Sequence, residues 1–250
     1  MCRSGIIMIK GLYKSASAMI PRIKKQEIIA NNLANASSPG FKRDTVFTRE
    51  LSRAQARHIP RQTDWQTPMI DQVYTTFEQG NFDRTGNMLD LALEGNGFFV
   101  FQTEKGENVL SRSGNLSVSS DGYLVNSNGN RLMSDSGPIN VGGGELSVSE
   151  SGQVQVDQAD VAAIQVVDIE DKTVLQKTGT GEFRIPDEVE ITQAVEYRIR
   201  QGYLESSNVD VVKEMVDMII SYRNFEADAK SVQAQDESLE KLINNVGRVR

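Results

Sequence analysis

From Val211 to Val246 apolar residues recur at alternating intervals of four and three: Val211, Met215, Met218, Tyr222, Phe225, Ala229, Val232, Leu239, Ile243 and Val246, with Asp236 the one polar member. A repeat of this kind, held over so many turns, is the seam of a coiled-coil helix and is incompatible with a strand. Read as one helix, residues 208–246 would extend roughly 57 Å at about 1.5 Å per residue. Ser206, Ser207 or Asn208 stands where it would cap the start, and Asp210 and Glu214 suit the positive end of the dipole. A second stripe lies at the other end of the chain: Ile9, Leu12, Ala16, Met19, Ile23, Ala30 and Leu33, with Gln26 its polar member. Pro21 predicts a kink or break there, because an interior proline removes one backbone hydrogen bond and crowds the carbonyl four residues back. Each stripe is too narrow to enclose a core alone. The two are therefore expected to bury their seams against each other or against neighbouring molecules.

Between them the period changes. From about 70 to 200 the chain is short alternating runs, FFVF, LSVS, YLV, VQV, AIQVV, FRI and YRIRQGYL, separated by glycine, asparagine and aspartate. Those are strands and tight turns. GNLSVSSDGYLV at 114–125 is echoed by GELSVSESGQVQV at 144–156, which predicts a pair of similar hairpins, too few units for a solenoid. The fold class is α+β: long N- and C-terminal α-helices pairing as a coiled coil, with a mainly antiparallel β middle domain. The expected divisions are 1–41 for the first helix and a Pro-Gly-Phe turn, 42–70 for an extended linker, 71–203 for the β domain and 204–250 for the last helix.

Charge is divided along the chain. Residues 1–61 hold 12 Lys and Arg against 3 Asp and Glu, and the remainder holds 15 against 31. The two parts attract each other, or each other's copies; no recognised motif and a strongly acidic remainder speak against nucleic acid. The apolar run in MCRSGIIMIKGLYK is too short for a signal-peptide core or a bilayer span, so no conventional export address and no direct membrane insertion are expected. Met8 begins directly on the helical pattern, so residues 1–7 are expected to be an upstream extension, whose presence mass spectrometry of the natural N-terminus would test.

The catalytic inventory is thin. Cys2 is the single cysteine and His58 the single histidine, which excludes an internal disulfide and a His/Cys zinc cluster. Gly142-Gly143-Gly144 lacks the lysine and hydroxyl of a phosphate loop, and the GxG runs at Gly95 and Gly179 do not open onto a helix. Asn126, Asn128, Gly129 and Asn130 resemble a calcium loop only in part, since the carboxylates and the terminal Glu are missing. His58 has no adjacent serine or cysteine nucleophile. No enzyme and no cofactor are expected.

The segment IIANNLANASSPGFKRD at 28–44 carries the most particular signal. Asparagines in a seam fix register by hydrogen bonding where apolar contacts alone would slide. Asn35 can end the helix in a left-handed conformation, Pro39-Gly40 suits the middle of a type II turn, and Phe41 can anchor the departing chain.

NNLANASSPGFKR resembles the N-terminal signature of bacterial flagellar axial proteins, the rod and hook family. LDLALEGNGFFVF with SRSGNLSVSSDGYLVNSNGNRLM is similar to the β domain of their larger subunits, and GYLESSNVDVVKEMVDMIISYRNFEADAK to their C-terminal helix. One β domain in 250 residues fits the proximal or distal rod type, and ANASSPGF and GEFRI favour the proximal. The resemblance implies a rod subunit exported unfolded through the flagellar type III apparatus to the periplasmic basal body. There it would pack through its terminal helices against its own copies and neighbouring rod proteins, forming a shaft that transmits torque. The assembly residues so implied are Leu12, Met19, Ile23, Ala30, Asn31, Asn32, Leu33, Asn35, Pro39, Gly40 and Phe41 at one end. At the other they are Asn208, Val211, Met215, Met218, Tyr222, Phe225, Val232, Leu239 and Ile243. A reading of another class is a secreted β module that recognises a glycan or surface, with coiled-coil ends that oligomerise it.

Overall fold

The computed structural model describes residues 19–49, 69–179, 181–186 and 191–247. They fall into two compact units: one takes the described parts of Met1–Leu33, Asp44–Tyr74 and Asp210–Arg250, the other Ala34–Arg43 and Thr75–Val209.

The first unit holds the helices. α1 covers residues 19–34, with Pro21 in its first described turn; the chain before residue 19, on which the expected kink or break depends, lies outside the described residues. The hydrogen bond that Pro21 forgoes would run to residue 17, outside the described residues. β1 (Asp44–Arg49) and β2 (Met69–Thr75) form a two-stranded sheet, so both ends of the expected linker are strands. Calls on the residues before Met8, on Leu12 and on His58 lie outside the described residues.

α2 (Val211–Gly247) is 37 residues long. Its cap is Asp210 rather than Ser206, Ser207 or Asn208: Asp210 Oδ1 accepts from Lys213 N (3.1 Å), and its carbonyl accepts from Glu214 N (2.9 Å). A carboxylate there satisfies an orphan N–H and also meets the positive end of the dipole.

The second unit is the β domain. Its strands run β3 (Phe82–Arg84), β4 (Leu91–Gly95), β5 (Phe98–Gln102), β6 (Asn108–Ser111), β7 (Leu116–Val118), β8 (Leu124–Asn126), β9 (Arg131–Ser134) and β10 (Gly137–Pro138). There follow β11 (Leu146–Val148), β12 (Gln153–Val156), β13 (Ala159–Ala163), β14 (Val166–Asp168) and β15 (Gln176–Thr178). β16 (Glu182–Arg184), β17 (Thr192–Gln193), β18 (Tyr197–Gln201) and β19 (Tyr203–Glu205) complete the set. The largest sheet follows the path β15-β16-β6-β5-β9-β8-β7, with β10 on β9, β14 on β5 and β17 on β14. β11-β12-β13, β18-β4 and β19-β3 form smaller sheets. The pairings in this unit are antiparallel, as the short hairpin spacing predicts.

The continuous run FFVF becomes β5, buried on both faces. Phe99 and Phe101 join Leu91, Leu93, Leu124 and Leu132 in one core, while Phe98 and Val100 join Leu110, Val167 and Phe183 in another. Successive side chains on a strand point to opposite faces, so an unbroken apolar run needs cover on both sides. The sequence echo is also a structural one. Leu116 to Val118 pairs with Leu124 to Asn126, and Leu146 to Val148 with Val154 to Val156. Both turns are closed alike: Tyr123 N donates to Ser119 Oγ (3.1 Å) and Gln153 N to Ser149 Oγ (3.0 Å), with Gly122 and Gly152 at φ +82° and +88°.

Candidate assembly interface

In the helical unit, Arg22 Nε lies 2.8 Å from Asp228 Oδ2, and Asn32 Nδ2 lies 3.5 Å from Glu214 Oε2. Numbers fall along α2 as they rise along α1, so the helices run antiparallel. The less exposed side of α2 is Glu214, Met218, Ser221, Phe225, Asp228, Val232, Gln235 and Leu239, again four and three apart. Met218, Phe225, Val232 and Leu239 belong to the stripe read from the sequence; between them stand polar groups, Glu214 and Ser221 being 1% and 3% exposed. The other members of that stripe point away: Val211, Met215 and Tyr222 are 38%, 49% and 59% exposed. Ile243 lies on the α2 backbone. On α1, Met19 and Leu33 are half-buried, and Ile23, Ala30 and Asn31 are exposed. Ile28, Ile29 and Asn32 are the buried residues of its second half.

Asn32 fixes register within the chain. Its amide donates to Asp44 O (2.8 Å) and accepts from Asp44 N (2.9 Å), holding the start of β1 as a strand partner would.

The Pro-Gly-Phe turn belongs to the β unit. Ser38 N donates to Asn35 O (3.1 Å) and Ser38 Oγ to Asn35 Oδ1 (3.3 Å). Asn35 itself is not left-handed, because among the described non-glycine residues only Asp157 and Gln158 have positive φ. A side-chain-supported turn ends α1 instead. Phe41 N then donates to Ser38 O (3.3 Å) around Pro39 and Gly40, the latter at φ +68°, the expected type II arrangement. A Cβ on Gly40 would lie 2.6 Å from Arg112 C, so only glycine fits.

Phe41 is 1% exposed, with Lys177 Nζ 3.8 Å from its ring centroid. Lys42, also 1% exposed, donates to Glu205 Oε1 (2.6 Å) and to Glu78 O (2.7 Å). Gly80 N donates to the same Glu205 oxygen (3.0 Å), and Arg112 Nη1 stands 3.9 Å from the other while bonding Leu93 O (3.1 Å). Burial lowers the pKa of Lys42; Glu205 opposes that shift, and Arg112 and Lys172 add to it. Burial likewise lowers that of Arg112, against Glu205 and Asp168. Asn208 finishes the arrangement: its Oδ1 accepts from Arg43 N (2.7 Å), and its Nδ2 donates to Thr76 O (2.8 Å) and Glu78 O (3.1 Å). The turn and Asn208 are thus engaged inside the chain, where they aim the departing backbone. Nothing in the hydropathy pattern marks Glu205, Arg112, Lys177 or Glu214. The sequence hints are the placement of Lys42 beside an anchoring aromatic and that of Glu214 in the first turn of the last helix.

The asparagine run at 126–130 also has internal work. Asn126 and Asn130 donate to Glu182 Oε1 (2.7 and 2.8 Å), and Asn126 Oδ1 accepts from Asn128 N and Asn130 N. Among the described residues no group of three or more His, Cys, Asp or Glu side chains is placed to hold a metal ion.

Comparison with known proteins gives three family matches in chain order. Residues 12–42 match the model described as flagella basal body rod protein, 92–156 the flagellar hook protein FlgE/F/G D1 domain, and 200–245 the flagellar basal body rod FlgEFG protein C-terminal. The flagellar hook-basal body complex protein FlhO of Bacillus subtilis is 30% identical over 97% of this chain and 100% of its own length. The chain belongs to the flagellar basal-body rod family. Within the rod family, FlgG of Buchnera aphidicola is 28% identical over 94% of this chain and 99% of its own, and FlgF of Caulobacter vibrioides 29% over 97% and 100%. Identity does not separate those two rod types. The three matched segments take in α1, the first half of the β domain and most of α2.

Proposed function

We propose that the protein is a structural subunit of the flagellar basal-body rod that polymerises through its terminal helices into the shaft carrying torque from motor to hook. The observation that carries this reading is the nearly full-length match to rod proteins, joined to a helix, α2, several of whose apolar residues are exposed among the described residues. In the assembled rod the helical ends pair as a coiled coil, as segments 1–41 and 204–250, and the β domain of 71–203 stands outside them, with 42–70 as the connection. The subunit travels unfolded through the flagellar type III apparatus and binds its own copies and adjacent rod proteins, acting by packing and not by catalysis. Narrow-striped helices are marginal in water alone, so their full ordering is coupled to assembly. The binding-module alternative draws no support from the relatives, whose names are those of rod and hook-basal body proteins.

Deleting the gene should leave cells non-swimming, with isolated basal bodies whose rods end before the hook in electron microscopy. Complete hooks on normal rods in the deletion strain would overturn the reading.

A further inference from the structure

The first two strands of the β domain are completed by its last two. Among the described residues β4 pairs only with β18, and β3 only with β19. These partners are remote in the chain: Arg200, bonded to Glu94, is 106 positions from it. β5, β6, β8 and β9, in contrast, pair with one another inside residues 98–134. β4 belongs to the core, since Leu91, Ala92 and Leu93 are buried, and Leu91 and Leu93 share a cluster with Ile199 of β18. Further ties run outward from the last strands. Ile199 N donates to Glu150 O (2.9 Å), Gly202 N to Asp90 O (2.8 Å) and Ser206 N to Asn81 O (2.8 Å). Gln201 accepts from Val148 N (3.1 Å) and donates to Met88 O (2.8 Å) and Leu146 O (3.0 Å). Glu205 O accepts from Gly40 N (2.7 Å), beside the carboxylate that meets Lys42.

Contacts between near neighbours close small loops at little entropic cost, whereas pairing across so long a stretch waits until the chain between is ordered. Until residues 197–208 dock, β4 lacks the strand that satisfies its backbone, and Lys42 cannot be buried against a counter-charge. We propose that residues 197–208 are a clasp: they close the β domain last and open first, as one cooperative unit with β3, β4 and the Phe41-Lys42 turn, while the β5–β9 sheet stays formed. Glu205 is the catch that holds it shut. A chain supplied N-terminus first completes this domain only when its last strands have arrived. The inference stands independently of the rod reading.

The test is amide hydrogen exchange on the dilute full-length chain in low urea. The amides of β3, β4, β18 and β19 should share one opening and exchange about ten-fold or more faster than those of β5, β6 and β9. Two variants separate the units. Leu110→Ala, in the core of Phe98, Val100 and Phe183, should speed exchange in β5 and β6 and leave β4 and β18 unchanged. Glu205→Gln should speed both sets, because complete unfolding includes the open clasp. During refolding, pulse labelling should find β5 and β6 protected before β4 and β18. Equal exchange across the two sets, unrelated rates for β4 and β18, or simultaneous protection on refolding would each overturn the clasp. So would β4 responding to Leu110→Ala as β5 does, or not responding to Glu205→Gln. The comparison within the unaltered chain decides the matter where a variant fails to fold.

Discussion

Lys42 is buried with its ammonium against Glu205, and Glu205 serves Arg112 and Gly80 as well. One carboxylate therefore answers two buried cations, and the consequence of removing it is asymmetric. Glu205→Ala leaves Lys42 without its counter-charge and Arg112 with Asp168 alone, and should cost about 3–5 kcal/mol in urea denaturation, whereas Lys42→Met, of similar length and apolar, should cost far less. Equal losses would show that the pair matters only as packing. The pH dependence has a definite sign. Burial holds the folded pKa of Lys42 below its ordinary 10.5, so between those two values the unfolded chain binds more protons and stability rises with pH. That alkaline rise should be absent from the difference curve once Lys42→Met is made, measured by thermal melts across the range. At this scale the Pro39-Gly40 turn was legible, because proline sets its own φ and glycine tolerates a positive one. The Lys42–Glu205 pair was not, because its members are 163 residues apart and no local rule links them.

At the scale of elements, α2 shows what periodicity does and does not decide. The four-three spacing identified a long helix, and its existence does not depend on which side meets α1. Near its start, however, Val212, Val216, Ile219 and Ile220 add a second apolar side to the stripe of Val211, Met215, Met218 and Tyr222, so hydropathy alone leaves the helix free to rotate. Polar ties make the choice: Arg22 with Asp228, and Asn32 with Glu214. The seam they select holds a misfit that mutation can expose. Ser221→Ala removes a buried hydroxyl without a partner and should leave the helices as stable or stabilise them by up to about 1 kcal/mol. Met218→Ala, on the same side, should cost about 2 kcal/mol where packing is tight. Circular dichroism at 222 nm during urea titration separates the two, and a large loss from Ser221→Ala would mean its hydroxyl is bonded after all. The start of α2 was misread for a related reason. Several short polar residues precede it, and only Asp210 lies one residue ahead of the first helical turn, while Asn208 is drawn off by the backbone of Arg43, Thr76 and Glu78.

For the molecule as a whole, the two units differ in how their stability is built. The β unit has cores on both faces of β5, with Phe77, Phe98 and Phe183 in mutual edge and tilted contact at 5.2–5.8 Å. The helical unit has a part-polar seam and an apolar side open to water. Hydrogen exchange on the dilute full-length chain should therefore find the amides of β5 and β6 protected at least a hundred-fold more than those of α2, with the difference shrinking once the chain is assembled. Equal protection of α2 in a monomer would remove the case for folding coupled to assembly. Helical ends, an antiparallel middle, twin hairpins and the type II turn were all determined by the sequence alone, since each depends on residues within a few positions of one another. Which face of α2 is spent inside the chain, which aspartate caps it and which carboxylate neutralises Lys42 were decided only by the tertiary structure. Those outcomes depend on groups far apart in the chain meeting at hydrogen-bond distance, and no repeat length or composition encodes such a meeting.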